Sequence, residues 1–453
     1  MAARWQSRSR RRNIGRVSLY QHHGSWWIYY RDGGRQVRRS VAGDERTAEQ
    51  IAAETNAQLT ASAPTAFSFT PATLAELQAE FIDYHETVLR SSLATVRRYR
   101  SATQHLVAFA AALGRKTLAH ELQAEQFVRY LRTVRISPNG HANSRRRPLR
   151  DKGIKFILET CRAMYGYAAR QRRMPPYAPN PFAGLGGKRI RIDDAKRIFL
   201  FDEASQVKFL QAADDWSFPI HFLLATTGIR PGELAHLLIE DVDLNAQWLR
   251  VANKPELGWR VKTRRDRQVP LLPETCEVLR RVLGGRTAGV LFRRRAPATV
   301  QQTWTQLGLT GLIRVTERAR DAREAAKDSP LTREEVAQVQ RRVWRDAGAI
   351  RVDQIRQSFM ATATACGFDD ATCPKSWRHS FATLLQDANV DPLIRQLTMG
   401  HSPSFGPDSA LGMTATYTHT RWATQQQAIE RALRLWPLPL AIARQWTQRN
   451  THA

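Results

Sequence analysis

The chain is short of cysteine. Cys161, Cys276, Cys366 and Cys373 are scattered through 453 residues, and no two form a CxxC pair. That excludes a disulfide framework and a cysteine-based structural zinc site, and leaves four incidental thiols of a reduced, cytoplasmic protein. No apolar run approaches the roughly 18 residues a membrane-spanning helix needs. Arg4, Arg8, Arg10, Arg11 and Arg12 make a basic N-terminus, but no apolar stretch follows them, so they do not form a secretory signal. Neither a Walker-type phosphate loop nor a GxGxxG turn is present, so no nucleotide cofactor is implied. Acidic residues are scarce too: 41 Asp+Glu face 69 Lys+Arg, a formal charge of +28. Only ten of those cations are lysines, which leaves 59 arginines. GC-rich coding alone produces such a bias, so the sign of the charge is the informative part. An excess this large points to a polyanion, nucleic acid before any other.

What is present is ordinary in bulk. Hydrophobic residues at 42% and charged residues at 24% suit a sizeable core. At about 150 residues per domain the length gives two or three domains. Residues 1–60 carry eleven basic against five acidic side chains. Within them the aromatic run Trp26–Tyr30, the Gly33-Gly34 turn and the alternating stretch Arg35–Val41 predict a β-hairpin. An amphipathic helix follows over Thr47–Leu59. Arg31, Arg35, Arg38 and Arg39 are therefore candidate DNA contacts on a small sheet, the alternative being a solvated accessory sheet. Thr60–Thr70 is rich in Ala, Ser, Thr and Pro and reads as a linker.

From 71 to 182 the pattern is helical, with Leu74, Leu77, Phe81 and Tyr84 on one stripe and Ile154, Leu158, Cys161 and Tyr165 on another. A bundle of four or five helices is expected. Its basic loop (Arg145, Arg146, Arg147, Arg150) touches either phosphate or water. Pro175, Pro176, Pro179 and Pro181 then form a boundary no helix crosses. Residues 195–430 read as a mixed α/β domain. A helix over Phe218–Ala225 leads to the turn Thr227-Gly228-Ile229-Arg230, with Pro231 opening the next helix. Short strands are predicted at Trp248–Val251, Trp259–Lys262 and Gln268–Leu271. Residues of about 308–353 form a highly charged insertion with a capping box, Thr332 to Glu335. A helix is expected over 421–436, and 431–453 reads as a C-terminal tail that either contacts a neighbouring protomer or closes the domain as a helix packed in cis. The fold class predicted is α+β and mainly α-helical: small N-terminal sheet, helical bundle, mixed α/β domain.

Three distant pieces share one chemical theme. Thr227-Gly228-Ile229-Arg230-Pro231-Gly232-Glu233-Leu234 places Arg230 at a helix start, where free N–H groups also favour an anion. Val261-Lys262-Thr263-Arg264-Arg265-Asp266-Arg267-Gln268-Val269-Pro270 places Lys262 at a strand end beside a basic turn, with Arg264 and Arg265 as candidate DNA contacts. Lys375-Ser376-Trp377-Arg378-His379 is followed by Met399-Gly400-His401 and then by Thr416-Tyr417-Thr418-His419. Taken singly, Arg230 reads more readily as a capping residue, Lys262 as a solvated lysine and Tyr417 as a packed aromatic. The ordered set reverses each of those readings. His379 is expected to pack locally, and His22 and His23 to lie at the surface without a metal.

In that order the segments resemble the tyrosine recombinases, the integrase family. Its pattern is an arginine in a TGxRxxEL turn, a hairpin lysine before R-x-V-P-L, then HxLRH, GH and a late tyrosine. The resemblance covers roughly 195–430 as the catalytic domain, 71–182 as the core-binding domain and residues 1–60 as an arm-binding domain. It implies Tyr417 as nucleophile, the only tyrosine after Arg378. It implies Lys262 as general acid, His401 as a hydrogen-bond donor to the phosphate, and Glu233 as the residue that orients the site. Chemistry agrees, because two planar guanidiniums, Arg230 and Arg378, can clamp the non-bridging oxygens without a metal. A phenolic oxygen can attack phosphorus to give a covalent 3′-phosphotyrosine.

Two positions depart from the pattern. Lys375 stands where most relatives carry histidine and reads as an electrostatic stabiliser, since a charged lysine cannot accept the tyrosine proton. Tyr417 follows His401 by sixteen positions, a longer spacing than usual, with Phe405–Gly412 as a flexible insert. The resemblance implies a homotetramer on two duplexes of double-stranded DNA, accessory directionality or DNA-bending proteins, and a phage or other mobile element as source. A type IB topoisomerase and a catalytically weak DNA-binding relative are the alternatives.

Overall fold

A computed structural model describes residues 11–114, 117–137, 145–185, 190–194, 197–295, 303–401 and 420–449. It folds as two units, Met1–Lys196 and Arg197–Ala453. The first unit opens with four antiparallel strands in sequential order: β1 (Arg12–Ile14), β2 (Val17–His22), β3 (Ser25–Asp32) and β4 (Arg35–Ala42). The expected hairpin is β3–β4, and the structure adds β1 and β2. The register sets Tyr29 opposite Arg38 and Tyr30 opposite Val37. Trp26, Ile28 and Tyr30 therefore point to one face with Val17 and Leu19, where helix α1 (Glu45–Thr60) covers them with Ala48, Ala52 and Leu59.

The helical segment contains α2 (Leu74–Asp83), α3 (Leu93–Ala112), α4 (Ala124–Thr133) and α5 (Asp151–Arg170). A capping box between Thr73 and Glu76 starts α2. Leu77, Phe81, Leu106, Phe127, Leu158 and Cys161 share one core, and Phe182 closes it past the proline-rich stretch.

In the second unit α6 (Glu203–Ala212) and α7 (Phe218–Thr227) precede the four-residue helix α8 (Pro231–Leu234). A three-stranded antiparallel sheet follows: β5 (Val242–Asp243), β6 (Trp248–Val251) and β7 (Arg267–Pro270). The strand expected at Trp259–Lys262 does not form. Asn253 accepts the Val261 N–H at 2.9 Å, and Asp266 accepts the Asn253 N–H at 2.9 Å. A side chain takes the Val261 N–H, Trp259 makes only an isolated bridge to Lys254, and Lys262 falls in a turn. After α9 (Pro273–Leu283), the charged insertion is a helical hairpin, α10 (Leu309–Lys327) and α11 (Arg333–Asp346), capped at Thr332 as expected. Then come α12 (Val352–Ala365), α13 (Lys375–Asp387) and α14 (Pro392–Met399). Trp377 of α13 stacks on Phe201 at 3.9 Å and fixes that helix to the core.

The C-terminal segment follows the second reading, a closing helix packed in cis. Trp422–Leu433 is a helix, and Pro437–Gln448 forms another that packs in its own unit. Its Trp446 ring stacks on Phe218 at 4.9 Å and donates to Asp215 at 2.9 Å. Pro437 and Pro439 do not break this helix, because the first-turn N–H groups have no intrahelical partner to lose. Among the described residues no helix is long and apolar enough to cross a membrane.

Candidate active site

Arg230 is placed by two adjoining turns. Helix α7 ends at Gly228 in the left-handed region (φ 60°), where an added Cβ would lie 2.3 Å from the Phe381 ring. Only glycine fits that approach. Ile229 goes into the core, and Arg230 becomes the N-cap of α8, its N–H held by Glu233 Oε2 at 2.9 Å. Glu233 Oε1 also accepts from Arg230 Nη1 at 2.7 Å, so one buried carboxylate fixes both backbone and side chain. Burial alone would raise the Glu233 pKa, but hydrogen bonds and charge from Arg267 and Arg230 hold it below the ordinary glutamate range.

Arg378 projects from α13 and is 9% exposed. Its Nη1 donates to Gly228 O at 2.7 Å and its Nη2 to Met399 O at 2.5 Å. Burial, followed by the nearby Arg230 charge, lowers its pKa to about 10, so it stays cationic at neutral pH. The same Nη2 lies 3.0 Å from His401 Nε2. A guanidinium only donates, so Nε2 accepts and the neutral ring carries its proton on Nδ1. Burial first, then Arg378, Arg230, Arg267 and Lys262, push the His401 pKa down. Lys262 thus lies within electrostatic reach of His401, on an exposed turn whose neighbour Val261 is buried.

The structure therefore brings Arg230, Glu233, Lys262, Arg378 and His401 together. Lys375 is exposed one turn before Arg378 on α13, and among the described residues no hydrogen bond or ion pair holds it. His379 is exposed, not packed, because it points away from the buried face of α13 that Trp377, Arg378 and Phe381 form. Tyr417, the Phe405–Gly412 insert and His419 lie outside the described residues. Arg264 and Arg265 are exposed in the turn after Lys262.

One residue was missed. Arg267 grips Glu233 through Nη1 at 3.2 Å and Nη2 at 2.6 Å, while its Nε donates to Thr398 O at 3.0 Å. Its side chain is 8% exposed. The available signal was the strand period of two, which places Arg267 on the inward face with Val269.

On the small sheet the four arginines do not share a face. Arg31 and Arg38 stand on the outer face with Tyr20, Trp27 and Tyr29, while Arg35 and Arg39 belong to the α1 side. Arg38 lies over Tyr20 and Trp27, at 5.3 and 5.6 Å from the ring centres, and Arg11 over Tyr29 at 5.7 Å. In the bundle loop Arg145 and Arg146 are exposed, and Arg147 and Arg150 half-buried. His22 and His23 are exposed, as expected.

Residues 188–423, just over half of the chain, match the family model of the Phage integrase family. The chain belongs to the phage integrase family, and it is a tyrosine-type site-specific DNA recombinase. Among solved structures it is similar to a lambda integrase dimer bound to a COC′ core site, with 15% identity over 86% of this chain and 93% of that one, at a TM-score of 0.46. The Tn1549 transposon integrase in complex with transposon right end DNA matches at 16% identity over 80% of this chain and 99% of that one (TM-score 0.44). The integrase from mycobacterium phage Brujita matches at 17% identity over 79% and 92% (TM-score 0.33). No curated protein sequence matches the chain significantly.

Proposed function

We propose that Arg230 and Arg378 clamp the scissile phosphate of double-stranded DNA while Tyr417, losing its phenolic proton to solvent, attacks phosphorus in line. The phosphorus–oxygen bond to the 5′ oxygen breaks, that oxygen takes a proton from Lys262, and a 3′-phosphotyrosyl ester forms. The reverse attack by a 5′ hydroxyl reseals either the same strand or a new one. Because the ester energy is retained, the cycle needs no nucleotide. His401 serves the phosphate from the donor Nδ1, Lys375 adds charge beside Arg378, and Glu233 orients Arg230. The observation that carries this reading is the meeting of two guanidiniums and His401 over one buried carboxylate.

Arg31 and Arg38, with the aromatic face around them, serve as the arm contact. Arg145, Arg146, Arg147, Arg150, Arg264 and Arg265 lie in loops suited to phosphate, while Arg35 and Arg39 flank the sheet's other side. The working form is a homotetramer that joins two duplexes in the cytoplasm, on behalf of a phage or other mobile element, with accessory DNA-bending or directionality proteins. A suicide substrate with a nick beside the cleavage point tests the chemistry. Its core site is recovered by covalent capture from a random-sequence pool. We expect a denaturation-resistant adduct without magnesium, absent in Tyr417→Phe and nearly absent in Arg230→Ala. An adduct persisting in Tyr417→Phe refutes the nucleophile; relaxation of supercoils without a defined site favours a type IB topoisomerase.

A further inference from the structure

Lys262 and Arg230 sit on separate segments, and a proton donor works only at a fixed distance from the phosphate clamp. Three aromatic side chains connect those segments. Trp259, three residues before Lys262, stacks on His236 with ring centres 3.9 Å apart and planes at 8°. The same indole covers Gly232, where an added Cβ would lie 3.2 Å from it; Gly232 is two residues after Arg230. His236 donates from Nδ1 to Gly232 O at 2.7 Å, so its ring is tied to the helix Arg230 caps. Burial lowers the His236 pKa to about 4, which keeps the ring neutral in this stack.

The third ring comes from the charged insertion. Trp344 of α11 meets His236 edge-on at 4.9 Å and donates its indole N–H to Leu257 O at 2.9 Å. Gln340 of the same helix donates to Glu256 O at 2.9 Å. Upstream, Lys254 is buried in an ion pair with Asp241 at 2.8 Å, and its backbone exchanges two hydrogen bonds with Trp259. The segment 254–259 is thus fixed at both ends, and freedom returns only at the exposed turn after Val261.

We propose that the stack of Trp259, His236 and Trp344 is a gauge that sets the Lys262 turn against the Arg230 helix, with the helical insertion as its outer brace. Trp259, His236 and Trp344 are positioning residues, acting through Lys262 without touching DNA. The inference rests on Lys262 as the general acid. Displacing a reacting group by about 1 Å can cost on the order of 100-fold in rate.

The test uses the full chain and two versions of the same suicide duplex, one with the normal 5′ oxygen at the cleaved bond and one with sulfur there. Sulfur leaves as a thiolate and needs no proton. Lys262→Ala should cleave the oxygen substrate about 1,000-fold slower and the sulfur substrate near the normal rate. Trp259→Leu should lose about 100-fold and Trp344→Phe about 10-fold on oxygen, with each within about threefold of normal on sulfur. Arg230→Ala should fail on both. If Lys262→Ala is rescued but the stack variants slow both substrates equally, or neither, the gauge is refuted. If Lys262→Ala is not rescued by sulfur, the general-acid assignment is what falls. Thermal melting and DNA affinity accompany each variant, and Trp344→Phe, which retains a ring at the edge contact, decides the matter should Trp259→Leu not fold.

Discussion

The arginines of the small sheet and the buried ones of the second unit are the same residue in opposite situations. Arg31 and Arg38 stand exposed on an aromatic face, and among the described residues Arg38 is met by ring faces and the Tyr20 hydroxyl. Arg267 and Arg378 are 8–9% exposed and have three fixed acceptors each. An exposed guanidinium keeps its hydration and changes partner at little cost; its contribution to binding comes from displaced counterions. A buried one is expensive to strand, so it holds geometry and tolerates no shortening. The net charge of +28 therefore counts both exposed guanidiniums that stay hydrated and buried ones that hold geometry.

The largest contrast should follow removal of a clamp. Arg378→Ala is expected to slow single-turnover cleavage by about 1,000-fold. It should also lower stability by about 2 kcal/mol in urea titrations, since Gly228 O and Met399 O lose their donors. Arg267→Met should cost about 3 kcal/mol, because Glu233 is left buried with Arg230 alone; a loss below about 0.5 kcal/mol would place Arg267 with the exposed class. Acid should affect the buried region next. His236 and His221 have pKa values lowered by burial to about 4 and about 3, so the unfolded chain binds their protons first. Stability is then complete above pH 6.5 and falls as the pH drops toward 4, by on the order of 3 kcal/mol for His236. Denaturation midpoints at pH 7.5, 6 and 5 should fall in that order, less steeply in His236→Asn. The smallest effect is Arg38→Ala, which should leave stability unchanged and reduce the salt slope of DNA affinity by about 0.9.

Local chemistry was readable in the sequence wherever a residue type is demanded by backbone geometry. Gly228 at a left-handed turn, Pro231 opening α8, Thr332 as a cap and Gly33-Gly34 in the hairpin are of that kind. Arg230, Arg378 and His401 followed from their order in the chain. Arg267 escaped because a buried arginine within a basic run looks like its exposed neighbours Arg264 and Arg265. Its fixed partners lie 34 and 131 residues away, and no local rule reveals them. From sequence the closing segment packs equally well in cis or in trans, and both prolines of Pro-Leu-Pro-Leu fall in the first turn of its helix. Trp259–Lys262 reads as a strand by composition, but the Asn253 side chain takes the Val261 N–H and Trp259 pairs with the backbone of Lys254 in a single bridge.

The two ends of the helical insertion differ in what they touch. Its root carries Trp344 and Gln340 against the 254–259 segment, whereas Ala325–Pro330 at the far turn is exposed throughout and Asp328 reverses the chain at φ 54°. That far turn is consequently a permissive splice point. A fluorescent reporter or affinity handle inserted after Asp328 would ride on the recombinase without disturbing the aromatic rings at the base.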